Sequence, residues 1–264
     1  MENIVQKAPI HVTQWGKNGP RVLMVHGSAQ GSSVGGDGHF AKQRILGDQG
    51  WMVLVPDRPG HGKTPADGHP DDAQRDGAWV ADMLGDGAHL VGHSFGGCVA
   101  LAAAAIRPSA VRSLTLIEPG MQKLAIDKSS VRQFSLKLMI VKYLSFSAAA
   151  RASGFARLVG IPSEIGSTKS HQELTQMGKG ISRLIVPSRE TLQTQLVTIR
   201  TENIPLLVVT GGWCPAFEAT ADAVASEGGG RRLVIPSQHH FPQQVSQEFN
   251  IELDKFMSKH AAER

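Results

Sequence analysis

Six short apolar runs, each closed by glycine or proline and followed by a helix-compatible stretch, constrain this chain more than any other feature. Arg21–Val25 ends in His26-Gly27, and Trp51–Val55 ends in Pro56-Asp57-Arg58-Pro59-Gly60. His89–Val91 runs into Gly92-His93-Ser94-Phe95-Gly96-Gly97, and Ser113–Ile117 into Glu118-Pro119-Gly120. Pro205–Val209 closes with Thr210-Gly211-Gly212, and Arg232–Ile235 with Pro236. Apolar runs without polar alternation describe strands buried on both faces, and therefore a parallel sheet. Parallel strands need crossovers, which Asp71–Leu84, Phe95–Ile106, Ala216–Ala225 and Val245–His260 supply as helices. The pieces Ile4–Val5 and His11–Gln14 predict an antiparallel hairpin at one edge. The fold class expected is α/β: an open, mostly parallel sheet with helices on both faces.

One interval breaks the rhythm. Residues 118–204 separate the fourth run from the fifth, far more than a crossover of about a dozen residues requires. Val131, Phe134, Leu138 and Val141 recur at helical spacing within it, and Gly154, Gly160, Pro162 and Gly166 divide it. The expected organisation is a core of residues 1–119 and 189–264 interrupted by a helical lid over residues 120–188. Such a lid sits above the carboxyl ends of the strands, where open α/β sheets bind ligands. Its apolar residues Met121, Leu124, Phe134, Met139, Tyr143, Phe146 and Phe155 are candidates for a pocket lining or for packing between lid and core.

Charge follows the same division. Of 27 Lys+Arg and 23 Asp+Glu, residues 119–200 hold 12 and 4, a local balance of +8 against +4 overall. The cations are scattered, with no dense basic run and little aromatic interleaving, so a solvated face is expected rather than a nucleic-acid surface. No apolar run approaches the roughly 20 residues of a membrane span, and the first residues lack a secretory layout. Cys98 and Cys214 are too few for a disulfide framework and read as reduced thiols in a cytoplasmic protein.

Gly92-His93-Ser94-Phe95-Gly96 fits G-x-S-x-G between a strand and an Ala-rich helix. A serine hydroxyl becomes an effective nucleophile when it is exposed, rigidly held and within reach of a base. A sharp strand-to-helix turn presents it, flanking glycines let backbone approach closely, and the helix N-terminus aims N–H groups at any anion formed there. Ser94 is the candidate nucleophile.

With these motifs the sequence resembles the α/β-hydrolase superfamily of serine hydrolases over nearly its whole length. The resemblance rests on His26-Gly27, Asp57-Arg58-Pro59-Gly60-His61-Gly62, the elbow at Ser94, and His240-Phe241-Pro242-Gln243. It implies a triad in the order Ser, acid, His, with His240 as base and His239 as a neighbour packing the loop. Most members of the superfamily carry an Asp a few residues after the strand matching Pro205–Val209, where this chain has Cys214. A thiol cannot orient an imidazole as a carboxylate does. A minority place the acid after the preceding strand, where Glu118 stands, so the triad implied is Ser94–Glu118–His240. Glu218 and Asp222 read as surface residues. The resemblance also implies oxyanion donors at the backbone N–H groups of Phe95 and Ser28, while His26 and His93 read as structural.

Asp57-Arg58-Pro59-Gly60-His61-Gly62-Lys63-Thr64 imitates a phosphate-binding loop, but Asp57 replaces its first glycine and Pro59 lacks an N–H. No ligand spacing suggests a metal, and no cofactor is expected. The function expected is hydrolysis of an ester or lactone of a small, largely apolar molecule, without nucleic-acid or membrane partners, in a monomer or homodimer. Serine in the elbow argues against dehalogenase or epoxide hydrolase chemistry, for which relatives use Asp. Two alternatives stay open: a cofactor-free C–C hydrolase, lyase or dioxygenase on the same fold, and a non-catalytic small-molecule receptor.

Overall fold

The computed structural model describes residues 9–161 and 169–261. Its sheet has seven strands: β1 (Val12–Trp15), β2 (Arg21–Val25), β3 (Met52–Pro56), β4 (Ala88–His93), β5 (Val111–Ile117), β6 (Leu206–Thr210) and β7 (Arg231–Val234). They lie in the order β1-β3-β2-β4-β5-β6-β7. All pairings are parallel except β1 with β3, which sets Val12 opposite Pro56. The edge strand thus pairs with the third strand in sequence, and the Ile4–Val5 piece lies outside the described residues. The helices longer than one turn are α1 (Ala73–Met83), α2 (Phe95–Ile106), α3 (Ser129–Leu144), α4 (Ala148–Leu158), α5 (His171–Arg183), α6 (Arg189–Thr201), α7 (Pro215–Gly228) and α8 (Gln247–Lys259).

Strands alternate their side chains between two faces, so a run buried throughout requires cover on both. Leu23, Val25, Leu90, Leu114, Leu116 and Val208 join one cluster with Val99 and Ala103 of α2 and Leu192 and Leu196 of α6. Val22, Met24, Val53, Val91, Leu207 and Val209 face the other way, against Phe249, Leu253, Phe256 and Met257 of α8. Alanine suits α2 because the helix is sandwiched: residues 98–104 are all buried. Among the described residues, no helix is long and apolar enough to cross a membrane.

The long interval after β5 contains α3, α4 and α5, whose apolar faces meet in a third cluster. Val131 and Phe134 of α3, Ala152 and Phe155 of α4, and Met177 and Ile181 of α5 pack there with Ala216 and Phe217 of α7. Met121 and Leu124 instead join the main core. Pro162 and Gly166 lie outside the described residues. The outer face of α3 is apolar yet open: Leu136, Met139, Ile140, Tyr143 and Leu144 are exposed, and Phe146 just beyond is 95% exposed.

Candidate active site

Ser94 occupies the turn from β4 to α2 with φ 57° and ψ −124°, a conformation rare for a residue bearing a Cβ. Its N–H donates to the Ile117 carbonyl (2.8 Å) and its own carbonyl accepts from Gly97 (2.9 Å) and Gly120 (3.0 Å). The serine is therefore held by backbone on three sides. The flanking glycines are sterically required: a Cβ at Gly96 would collide with the carbonyl oxygens of Val25 and His26, and one at Gly92 would sit 2.5 Å from the Gly96 carbonyl. No hydrogen bond among the described residues engages the N–H of Phe95 or of Ser28. Phe95 is the first residue of α2, so its N–H points out of the helix N-terminus.

Glu118 directly follows β5 and also has a positive φ, 46°. Its N–H donates to Val209 of β6 (2.8 Å), turning the side chain towards the β6 turn. The carboxylate is completely buried and receives three N–H donors. Gly211 N–H donates to Oε1 (2.7 Å), Trp213 Nε1–H to Oε2 (3.1 Å), and His240 Nδ1–H to Oε2 (3.2 Å). That last bond fixes the ring's tautomer, leaving Nε2 as the free lone pair. Nε2 is buried and has no hydrogen-bond partner among the described residues. Phe217 packs on the His240 ring, 4.6 Å between centroids, and also lines the cavity that contains Ser94.

His93 Nε2–H donates to the His240 carbonyl (2.7 Å), so the residue before Ser94 anchors the loop that carries His240. Burial pushes the His93 imidazole well below its usual pKa, reinforced by the neighbouring His240 and His39. His26 is likewise depressed, chiefly by burial, with the neighbouring His61, His39 and Arg58 adding to it. It accepts the Arg58 N–H at Nε2 (2.9 Å) and donates from Nδ1 to Gly27 (3.0 Å), which braces the turn bearing Ser28. His239 uses Nδ1 to accept the Phe241 N–H (3.1 Å) within its own loop.

The other carboxylates near this end of the sheet are otherwise engaged. Glu218 is bound by Arg232 (2.6 Å), Thr210 and Gly212; Asp222 pairs with Arg232 (2.9 Å) while largely exposed. Cys214 is the N-cap residue of α7, and its carbonyl accepts from Phe217 and Glu218. Asp57 in the phosphate-loop mimic accepts the N–H groups of Gly36 (2.7 Å) and Lys63 (2.9 Å), so donors a phosphate would need are already used.

Two features were not anticipated from the sequence. One is Trp213, whose indole N–H reaches Glu118 across 95 residues of chain; its place in the turn where the acid was expected was the available signal. The other is the buried Arg58 network. Arg58 donates to Asp71 (2.5 Å), to Asp76 from both Nε (2.9 Å) and Nη2 (2.7 Å), and to the Gly27 carbonyl (2.8 Å). Asp71 in turn accepts from Gln30 N–H (3.4 Å), and the Arg58 guanidinium holds its carboxyl below the usual range despite burial. Arg58 thus ties β3 to the segment around Ser28.

Ser94, Phe95 and Ser28 border one small cavity of about 50 Å³, walled by Phe134, Leu138, Phe155, Val159, Leu184 and Phe217. A second cavity of about 60 Å³ shares Ser28 and is lined by Ala29, His39, Ile161, Met177, Phe241 and the polar groups of Ser32, Lys169 and Gln244. A carbonyl at Ser28 would therefore have space on two sides.

The family model described as alpha/beta hydrolase fold matches residues 20–139. Over 128 residues, 47% of this chain and 46% of the relative, the sequence is 37% identical to lipase LipV of Mycobacterium tuberculosis. Over 119 residues, 42% of this chain and 40% of the relative, it is 34% identical to a 2-hydroxy-6-oxononadienedioate/2-hydroxy-6-oxononatrienedioate hydrolase of a Pseudomonas species. The chain thus spans less than half the length of these curated relatives. Similar solved structures include a hydrolase from Pseudomonas aeruginosa, with TM-score 0.69, 18% identity and coverage of 95% and 94% of the two chains. Another is the N-acyl homoserine lactonase AidH, a mutant complexed with N-hexanoyl homoserine, with TM-score 0.68, 21% identity and coverage of 97% and 94%. At these identities the structures establish a common fold.

Proposed function

Since the chain belongs to the α/β-hydrolase superfamily, we propose that it is a serine hydrolase cleaving the ester or lactone bond of a small, largely apolar molecule. The observation that carries this reading is the His240–Glu118 contact of 3.2 Å, which leaves a buried Nε2 free to accept a proton. In the reaction proposed, His240 Nε2 takes the Ser94 proton as Oγ attacks the carbonyl. The Phe95 and Ser28 N–H groups hold the oxyanion, and Glu118 stabilises the imidazolium. His240 then returns the proton to the leaving alcohol; in the second half it takes a proton from the water that attacks the acyl carbonyl and gives it to Ser94 Oγ as the acid leaves. For a lactone the same steps open the ring and the alcohol stays joined to the acyl group.

Residues 120–188 serve in this reading as a cap. Phe134, Leu138 and Phe155 of the first two cap helices wall the Ser94 cavity, and their apolar surface suits an acyl chain. A cavity of about 50 Å³ holds only a few carbon-sized groups, so a longer chain must extend beyond it, into the second cavity at Ser28 or past Leu138 and Leu184. The LipV and AidH resemblances accord with ester and lactone carbonyls.

The test is intact-mass and peptide mapping after a fluorophosphonate probe, with Ser94→Ala and His240→Ala alongside. Rapid labelling at Ser94 that requires His240 is expected. A folded protein that does not label would overturn the acyl-enzyme mechanism and favour chemistry that uses His240 as a base alone.

A further inference from the structure

The Ser94 cavity shares one of its walls with a second hollow. Gln122, Leu138, Leu184 and Val186 line the cavity and also line an open groove of about 550 Å³ between α3 and the segment leading to α6. Leu138 and Leu184 form the partition between the two. The groove's remaining walls are Ile126, Met139, Tyr143 and the small polar Ser135, and it carries two ammonium groups, Lys123 and Lys142. Each is held by backbone rather than by an acid. Lys123 Nζ donates to the Val186 carbonyl (3.1 Å) and Lys142 Nζ to the Leu184 carbonyl (2.7 Å), and Lys142 also lies 5.3 Å from the Tyr143 ring centroid.

Neither lysine has a carboxylate within salt-bridge distance among the described residues; the nearby Asp127 pairs with Lys128 instead (3.7 Å). Carbonyls fix the position of an ammonium without cancelling its charge, and each Nζ keeps donors to spare. Two cations are thereby fixed on the rim of a largely apolar groove that only the Leu138 and Leu184 side chains separate from the cavity of the nucleophile. The cation excess of residues 119–200, 12 against 4, means that this region supplies little negative charge of its own.

We propose that the groove is a binding site for the anionic end of the substrate: an apolar chain runs from Ser94 past Leu138 and Leu184 and ends in a carboxylate, sulfonate or phosphate held by Lys123 and Lys142. As a substrate class this rests on the hydrolase reading; as a binding site it does not. Exposed ion pairs are individually weak, so the two lysines together give a preference of about three- to tenfold for the anion, decreasing with salt.

Two measurements on the full chain test this. The first compares nitrophenyl esters of simple fatty acids with nitrophenyl half-esters of the dicarboxylic acids of the same length, across a length series. The ratio of kcat/KM, carboxylate-ended over methyl-ended, is expected to peak at one length at about three to ten. It should fall to about one in Lys123→Gln/Lys142→Gln, recover in Lys123→Arg/Lys142→Arg, and shrink with added sodium chloride. The second needs no turnover: binding of anilinonaphthalenesulfonate is compared with that of uncharged phenylnaphthylamine. The sulfonate should bind more tightly, and the glutamine pair should abolish the difference. A ratio, or a sulfonate preference, that the glutamine pair leaves untouched overturns the proposal. Should neither ester turn over, the hydrolase reading fails and the dye comparison alone decides the groove.

Discussion

Glu118→Gln separates charge from shape at the candidate site. In the reaction proposed, the imidazolium of His240 forms 3.2 Å from Glu118 Oε2, with both side chains almost entirely excluded from water. At an effective dielectric of about 20, unit charges at that distance attract by about 5 kcal/mol, and 1.36 kcal/mol is tenfold in rate. Losing that attraction only in the transition state should lower kcat/KM by about a thousand- to ten-thousandfold, the lower figure applying if the amide oxygen still accepts from Nδ1. The amide also turns an NH2 group towards a site built from donors, Gly211 N–H and Trp213 Nε1–H. A loss of about 1–3 kcal/mol in stability should therefore accompany it, measurable by urea unfolding and small enough to leave the protein folded. The assay is hydrolysis of a short nitrophenyl ester, with the fluorophosphonate labelling rate as a second readout. Glu218→Gln is the control, since Glu218 is engaged with Arg232, Thr210 and Gly212. Activity of Glu118→Gln within tenfold of the native protein, or an equal loss in Glu218→Gln, would refute the assignment of Glu118.

Trp213→Phe removes one of the three donors to Glu118 while keeping the ring, and should lower kcat about ten- to a hundredfold with little change in KM; unchanged kcat would make the indole N–H irrelevant. Acid should destabilise the fold below about pH 6.5, because burial lowers His39 to about 3 and His89 to about 4, so the unfolded chain takes up protons that the folded one refuses. Each contributes stability present above 6.5 and lost as pH falls, about 2 kcal/mol apiece by pH 5; His89→Gln, remote from Ser94, should reduce the pH slope of the urea midpoint, and an unchanged slope would contradict this. Ser94→Gly should be more stable than Ser94→Ala by about 1 kcal/mol, since φ 57° with ψ −124° mirrors an ordinary extended residue that only glycine adopts freely; equal urea midpoints would show that the turn is unstrained.

The sheet was legible because its strands are covered on both faces, which writes burial into uninterrupted apolar runs such as 22–25 and 206–209. Ser94 was legible because its motif is local: the glycines that collide with nothing only by lacking a Cβ lie two residues away on either side. What escaped depends on contacts across the chain. Trp213 meets Glu118 across a sequence separation of 95, and His93 meets the His240 carbonyl across one of 147. The interval after β5 read as helical, yet which residues face a cavity depends on how each helix is rotated about its axis. Phe134 and Phe155 line the Ser94 cavity, Met121 and Leu124 sink into the main core, Met139 and Tyr143 face the groove, and Phe146 faces solvent. Seven apolar residues of one stretch thus have four different surroundings, and periodicity alone does not distinguish them.

Three of the four non-glycine residues with positive φ among the described residues, Ala29, Ser94 and Glu118, follow β2, β4 and β5, which are neighbours in the sheet. Such conformations cost of order 1–3 kcal/mol each and persist only where the surroundings enforce them. Here enforcement passes from strand to strand: Ser94 N–H to Ile117 at the end of β5, and Glu118 N–H to Val209 of β6, both at 2.8 Å. The third member is held from the side, by Asp71 on the adjacent Gln30 N–H and by Arg58 on the Gly27 carbonyl. In the site proposed, the turn after β6 has exchanged one duty for another. Cys214 stands where most relatives resembling this chain carry the acid, and that turn instead supplies Gly211 N–H and Trp213 Nε1–H to a carboxylate arriving from β5. A carboxylate that comes from one strand nearer the nucleophile needs the longer side chain of Glu to reach the same imidazole. It also needs new donors to replace the water it has lost, which is why Glu118 and Trp213 belong to one arrangement: restoring an acid at Cys214 without removing Glu118 would set two carboxylates against one histidine.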